Sequence, residues 1–163
     1  MALVTTATPE NCDKKGSDFT LYYNTGTCDT PVWVEHVGLQ GDLTIGEVED
    51  EEEIPIRSST DLIKKYAAGK IDINVTGETV VDMAYVGNQV LHSARSNGSP
   101  VDFAVLTGAM DEVASFGWRG KFRNFDRSQQ GPNTGPASGS FSLKPAVCTD
   151  CPVRAVIVDV ADA

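Results

Sequence analysis

Lys70-Ile71-Asp72-Ile73-Asn74-Val75-Thr76 alternates polar and apolar residues without a fault over its whole length. Successive side chains of an extended strand point to opposite faces, so Ile71, Ile73 and Val75 share one face and Asp72, Asn74 and Thr76 the other. One face suits a core and the other suits water. The alternation also disposes of a competing reading. Asp72-x-Asn74-x-Thr76-Gly77 imitates the front of a calcium-binding loop, but the twelfth position is Met83, where a bidentate Glu is required.

Working upstream, Ile54-Pro55-Ile56-Arg57 alternates again but contains a proline that cannot donate to a ladder, which suits an edge strand. Before it, Glu47-Val48-Glu49-Asp50-Glu51-Glu52-Glu53 holds six acids in seven residues and reads as the exposed tip of a hairpin. Asp61 to Ala68 reads as a short helical connection between this hairpin and the decisive strand. Leu43 to Val48 and Val32 to Val37 are strand candidates, the second β-branched and aromatic. Residues 1–30 are rich in Thr, Asn, Asp and Gly, with Tyr22 and Tyr23 as anchors, and read as an irregular arm or weakly paired strands.

Downstream, Asp82 to Asn97 is the helix candidate. Asp82 suits the N-cap, Met83, Val86, Val90, Leu91 and Ala94 lie on one face, and Gly98 suits the position after the C-cap. Strands are then expected over Val101–Leu106, Ala114–Phe125, Gly139–Val147 and Val153–Val160. The Gly- and Pro-dense stretch Gly131 to Gly139 is a loop. It lacks the Gly-Lys-Ser/Thr ending and the following helix that would make it a phosphate cradle.

The expected organisation is therefore an N-terminal arm (1–30), a mainly β domain with one flanking α-helix (31–147) and a C-terminal strand or arm (148–163). At 163 residues the chain is long enough for one self-sufficient core. It shows neither a leader-like start nor an apolar run of the roughly 20 residues that would cross a bilayer, so a chain folded in the cytoplasm and away from membranes is expected.

Catalytic signatures are absent. The two histidines, His36 in a strand candidate and His92 on the helix, read as structural. The sequence holds no nucleophile elbow, zinc-protease helix or dinucleotide-binding glycine pattern, so neither an enzyme nor a cofactor is expected. Thirteen basic against 23 acidic residues give a net charge of −10, which disfavours gripping a phosphate backbone through counterion release. Cys148-Thr149-Asp150-Cys151 has a spacing found in zinc knuckles and redox pairs, but Cys12 and Cys28 form no second knuckle. Structural thiols, disulfides and a zinc site of Cys12, Cys28, Cys148 and Cys151 all stay open.

Leu43-Thr44-Ile45-Gly46, Ile54-Pro55-Ile56-Arg57-Ser58-Ser59 and Gly117-Trp118-Arg119-Gly120-Lys121-Phe122 occur in this order of elements across Val32 to Val147. The pattern resembles the tail-tube, or major tail, proteins of bacteriophages. The resemblance implies two packed antiparallel sheets flanked by a helix, and homo-hexameric rings stacked into a tube through loops and terminal arms. It further implies tape-measure and terminator proteins as partners, DNA as a non-specific passenger, assembly in the host cytoplasm and a place in the virion tail. The segments 1–30 and Cys148–Cys151 do not match the family pattern. On this reading Glu47, Glu49, Asp50, Glu51, Glu52, Glu53, Ile54, Ile56 and Arg57 form a hairpin that contacts a neighbouring subunit, because so acidic a tip gains little from its own acidic domain. Glu47, Glu49 and Asp72 are expected to line the channel, where like charge keeps the duplex off the wall. The alternatives are another virion component such as a decoration or head–tail joining protein, a secretion-system tube or, further off, a small-molecule binder or enzyme.

Overall fold

The computed structural model describes residues 19–53, 66–96, 99–134, 137–147 and 150–158. In chain order these form β1 (Thr20–Asn24), β2 (Trp33–Glu35), β3 (Leu39–Glu53), β4 (Tyr66–Val80), α1 (Val86–Ser96), β5 (Val101–Leu106), β6 (Phe116–Gln130), β7 (Ser138–Pro145) and β8 (Arg154–Ile157). The decisive alternating strand lies inside β4. All pairings are antiparallel, in the order β2-β1-β5-β6-β7-β4-β3, with β8 added to β6.

The fold is mainly β with one flanking helix, as expected, and hydrogen bonding joins the strands into a single curled sheet, a half-barrel. β6 is the strand that makes this possible. Its first part pairs with β5 through Gly117–Phe122 and with β8 through Phe116–Arg119, and its second part pairs with β7 through Phe122–Gln130. The curl brings β6 back toward β3, where the Trp118 indole N–H donates to the Glu47 carboxylate. At Gly120, φ is +151° and a Cβ would stand 2.4 Å from the Val153 Cα. The glycine of the Gly-Trp-Arg-Gly phrase thus lets the C-terminal segment lie directly on β6.

The main core sits inside the curl under α1. Leu21 and Tyr23, Leu43, Ile73 and Val75, Phe103 and Val105, Phe122, Phe141 and Leu143 supply it from the strands, and Leu91 and Ala94 from the helix. A smaller cluster of Tyr22, Ala104, Leu106 and Val158 lies on the opposite face. The sheet is therefore apolar on both sides around β1 and β5, which explains why Val101–Leu106 reads as an unbroken apolar run apart from Asp102.

Five expectations need correction. Thr20–Asn24, expected as irregular arm or weakly paired strand, is a buried strand firmly paired between β2 and β5; its Leu21 and Tyr23 pack into the main core because β5 offers them a ladder. The first part of that arm lies outside the described residues. The helix begins at Val86 rather than Asp82, since the Asp82 side chain accepts the Ala84 N–H at 2.8 Å in a local turn that competes with helix. Met83 and Val86 are consequently exposed, and the buried face is Gly87, Asn88, Leu91 and Ala94. Tyr66–Ala68 continues β4 rather than forming a helix, paired with Glu51–Glu53. Last, Ile71 is 52 % exposed although its alternation matches that of Ile73, because the sheet has ended by the level at which it stands.

Candidate assembly site

β3 and β4 pair from Leu39↔Thr79 to Glu53↔Tyr66, but the ladder from β4 to β7 begins only at Val75↔Leu143. Past Val75 the hairpin leaves the sheet. Glu47–Glu53 and Tyr66–Ile73 thus form a two-stranded ribbon projecting roughly 20–25 Å at the usual rise per residue. An isolated two-stranded ribbon is marginal in water. The register slips between Glu49 and Glu51, and at this bulge a Cβ on Gly69 would stand 1.9 Å from the Asp50 carbonyl oxygen. Gly69 is what lets the strands pass the bulge.

The acid run therefore lies in the strand rather than at the hairpin tip. The residues between the two strands, including Ile54, Ile56 and Arg57, lie outside the described residues. Glu47, Glu49 and Asp50 are exposed, and so are the apolar Val48 and Ile71.

The three acids expected to line a channel do not share a face. Glu47 pairs with Ile73 and Glu49 with Ile71, which places both on the core side of the hairpin, while Asp72 pairs with Val48 on the other side. Around Asp72 the core-opposite face of β4, β7 and β6 is polar and balanced in charge. The register brings Glu78 and Asp126 to this face, but also Lys70, Arg123 and Lys144. Between them runs a row of short polar side chains. Ser142 Oγ donates to Asn74 Oδ1 at 2.7 Å, and Ser128 and Ser140 share a hydrogen bond of 2.6 Å.

A second surface, which sequence reasoning missed, is a concavity of about 410 Å³ on the face away from the main core, floored by Ala104, Leu106 and Arg119 and walled by Trp33, Arg154 and Val156. The Arg119 guanidinium lies 5.0 Å from the Trp33 ring centroid and donates to the Cys28 carbonyl at 2.7 Å. The signal was present in Trp118-Arg119-Gly120, but the sequence does not reveal that β2 lies opposite it. Beside the concavity Cys28 and Cys151 form a disulfide, Cα to Cα 5.7 Å, that closes 123 residues of chain. Cys12 and Cys148 lie outside the described residues.

Neither histidine is set up for proton transfer. His36 follows β2 rather than lying in it and is 3 % exposed against Gly87 of α1, with neither ring nitrogen hydrogen-bonded among the described residues. Burial pushes its pKa below the usual imidazole value. His92 is exposed and contacts Arg127. No helix among the described residues is long and apolar enough to cross a membrane.

No family model and no curated protein matches the chain. Solved structures do. A chain from the tail of an empty GTA (gene transfer agent) particle with C6 symmetry superposes with a TM-score of 0.66 at 14% identity, over 89% of this chain and 98% of that one. The SPP1 tail tube matches with a TM-score of 0.63 at 16% identity, over 91% of this chain and 83% of that one. A chain of the PVC sheath-tube complex, an extracellular contractile injection system, matches with a TM-score of 0.55 at 9% identity, over 94% and 100%. This chain has the fold found in those tubes.

Proposed function

We propose that this chain is a structural subunit that assembles with copies of itself into stacked six-fold rings, forming the tube of a virion tail through which DNA passes without being held. The observation that carries the reading is the acidic ribbon of Glu47–Glu53 and Tyr66–Ile73, which leaves its own sheet at Val75 in a fold shared with a tail of C6 symmetry. Half of the longest hairpin is spent on no core, and its exposed Val48 and Ile71 call for a neighbour. A tail tube is favoured over the tube of a contractile injection system because the tail structures superpose more closely, 0.66 and 0.63 against 0.55. The role is mechanical rather than catalytic, and tape-measure and terminator proteins are the partners the tube would meet at its centre and ends.

The channel wall takes a different form from a uniform acidic lining. The core-opposite face carrying Asp72 is the candidate wall, since Glu47 faces the core side and is engaged by Trp118. Its balanced charge and its hydroxyl row keep water at the surface and give phosphates no basic patch to grip.

Negative-stain microscopy of the purified chain at rising concentration tests the reading. Rings or tubes are expected, and a variant lacking Asp50–Glu53 should melt as the parent does yet fail to polymerise. A parent that stays monomeric throughout, or a deletion that unfolds the domain, overturns it.

A further inference from the structure

The disulfide accounts for Cys28 and Cys151 but not for the group buried beside them. Asp102 is 7 % exposed on β5, with Oδ2 3.5 Å from the Cys151 sulfur and accepting from Asn24 Nδ2 at 2.9 Å. Its Oδ1 is buried without a partner among the described residues. Arg119 pairs with this carboxylate only through Oδ2 and leaves Oδ1 untouched. Its guanidinium stands 3.5 Å from Asp102, while its shorter bond goes to the Cys28 carbonyl and its plane lies over Trp33. A buried carboxylate with a free lone pair is costly unless something else claims it.

The two sulfurs and a carboxylate oxygen lie within 4.8 Å of one another. Two soft donors and one hard donor are a donor set that suits zinc and other thiophilic divalent cations. The charges also match. Two thiolates and a carboxylate carry three negative charges, and a divalent cation with Arg119 supplies three positive ones.

We infer that Cys28, Cys151 and Asp102 form a thiol-dependent metal site, which takes zinc or a similar cation when the cysteines are reduced and is replaced by the disulfide when they are oxidised. Opening the site requires a dithiol reductant. The Cys28–Cys151 bond breaks, each sulfur leaves as a thiol, and the reductant closes into its own disulfide. Binding of the cation then releases the two thiol protons to solvent. In both states the segment before β2 and the segment before β8 are held to each other, by a covalent bond when oxidised and by coordination when reduced, and only the coordinated state also ties both to Asp102 of β5. The site stands independently of the tube reading.

The full chain, reduced with a dithiol and transferred without oxygen into metal-free buffer, is titrated with cobalt(II) as a spectroscopic probe. One cobalt per chain with a thiolate-to-cobalt charge-transfer band is expected. Cys28→Ser, whose side chain is only half-buried, should abolish the band, and Asp102→Asn should weaken binding at least about 10–100-fold, the range seen when even outer-shell partners are lost. A Cys12→Ser/Cys148→Ser double variant should bind as the parent does. Because Asp102→Asn risks misfolding, a second measurement uses the unmodified sequence: zinc should protect Cys28 and Cys151, and not Cys12 or Cys148, from alkylation mapped by mass spectrometry. No cobalt in the reduced chain, binding that survives Cys28→Ser, or protection that maps to Cys12 and Cys148 each overturns the site.

Discussion

β3 and β4 are two regions in one hairpin. Where β4 meets β7 and at the foot of the ribbon, Leu43, Ile73 and Val75 are buried in the main core. A few residues further on, the same two strands stay paired, across one bulge, but carry Glu47, Glu49 and Asp50, with Val48 and Ile71 exposed. The ladder is common to both halves, so backbone hydrogen bonding does not distinguish them. What differs is whether a third strand and a helix stand close enough to remove side chains from water. The packed half should therefore govern whether the chain folds, and the ribbon half whether folded chains meet.

Substitutions at the two ends of this contrast separate these roles. The largest effect is expected at Phe122, which is 0 % exposed where β6 passes from β5 to β7. Phe122→Ala should cost about 3–5 kcal/mol in denaturant unfolding, enough to unfold a marginal domain. Leu91, 4 % exposed on α1, comes next; Leu91→Ala should cost about 2–5 kcal/mol, whereas Met83→Ala, on the exposed turn before the helix, should be nearly silent. Equal losses at both positions would restore the longer helix that the sequence suggested.

Gly120→Ala should cost about 1–3 kcal/mol, through a left-sided φ and a clash with the Val153 backbone, and should loosen β8 first, visible as faster amide exchange at Val156 and Val158. His36 predicts an acid sensitivity. Its folded pKa lies below the unfolded value of 6.5, so the unfolded chain takes up its proton first as pH falls. Stability should be intact above about pH 6.5, decline below it, and level off once the folded pKa is passed. His36→Gln should flatten this part of the profile in thermal melts, and an unchanged slope would remove His36 as its source. The smallest stability effect belongs to the ribbon. Glu49→Lys with Asp50→Lys should stay within about 0.5 kcal/mol of the parent in melting while changing polymerisation, and a large loss of stability would mean that the ribbon is packed on its own domain.

The sequence by itself determined the elements whose period is local. Alternation located the core of β4, the apolar run located β5, and the aromatic spacing of Phe116, Trp118 and Phe122 located β6. It also pointed to mainly β architecture with one helix, and to a resemblance whose implied fold the superposed structures share. Where long-range partners decide, the sequence was silent or misleading. Thr20–Asn24 is a strand only because β5 and β2 flank it, and Met83 is exposed only because Asp82 closes a turn before the helix starts. Glu47 and Asp72 look alike as exposed acids, yet the register sets them on opposite faces. Cys28, Asp102 and Cys151 come together from three distant points of the chain. Hydrophobic period is a property of neighbours along the chain, whereas register, curl and the meeting of remote side chains follow from which surfaces bury one another, and only the folded molecule decides that.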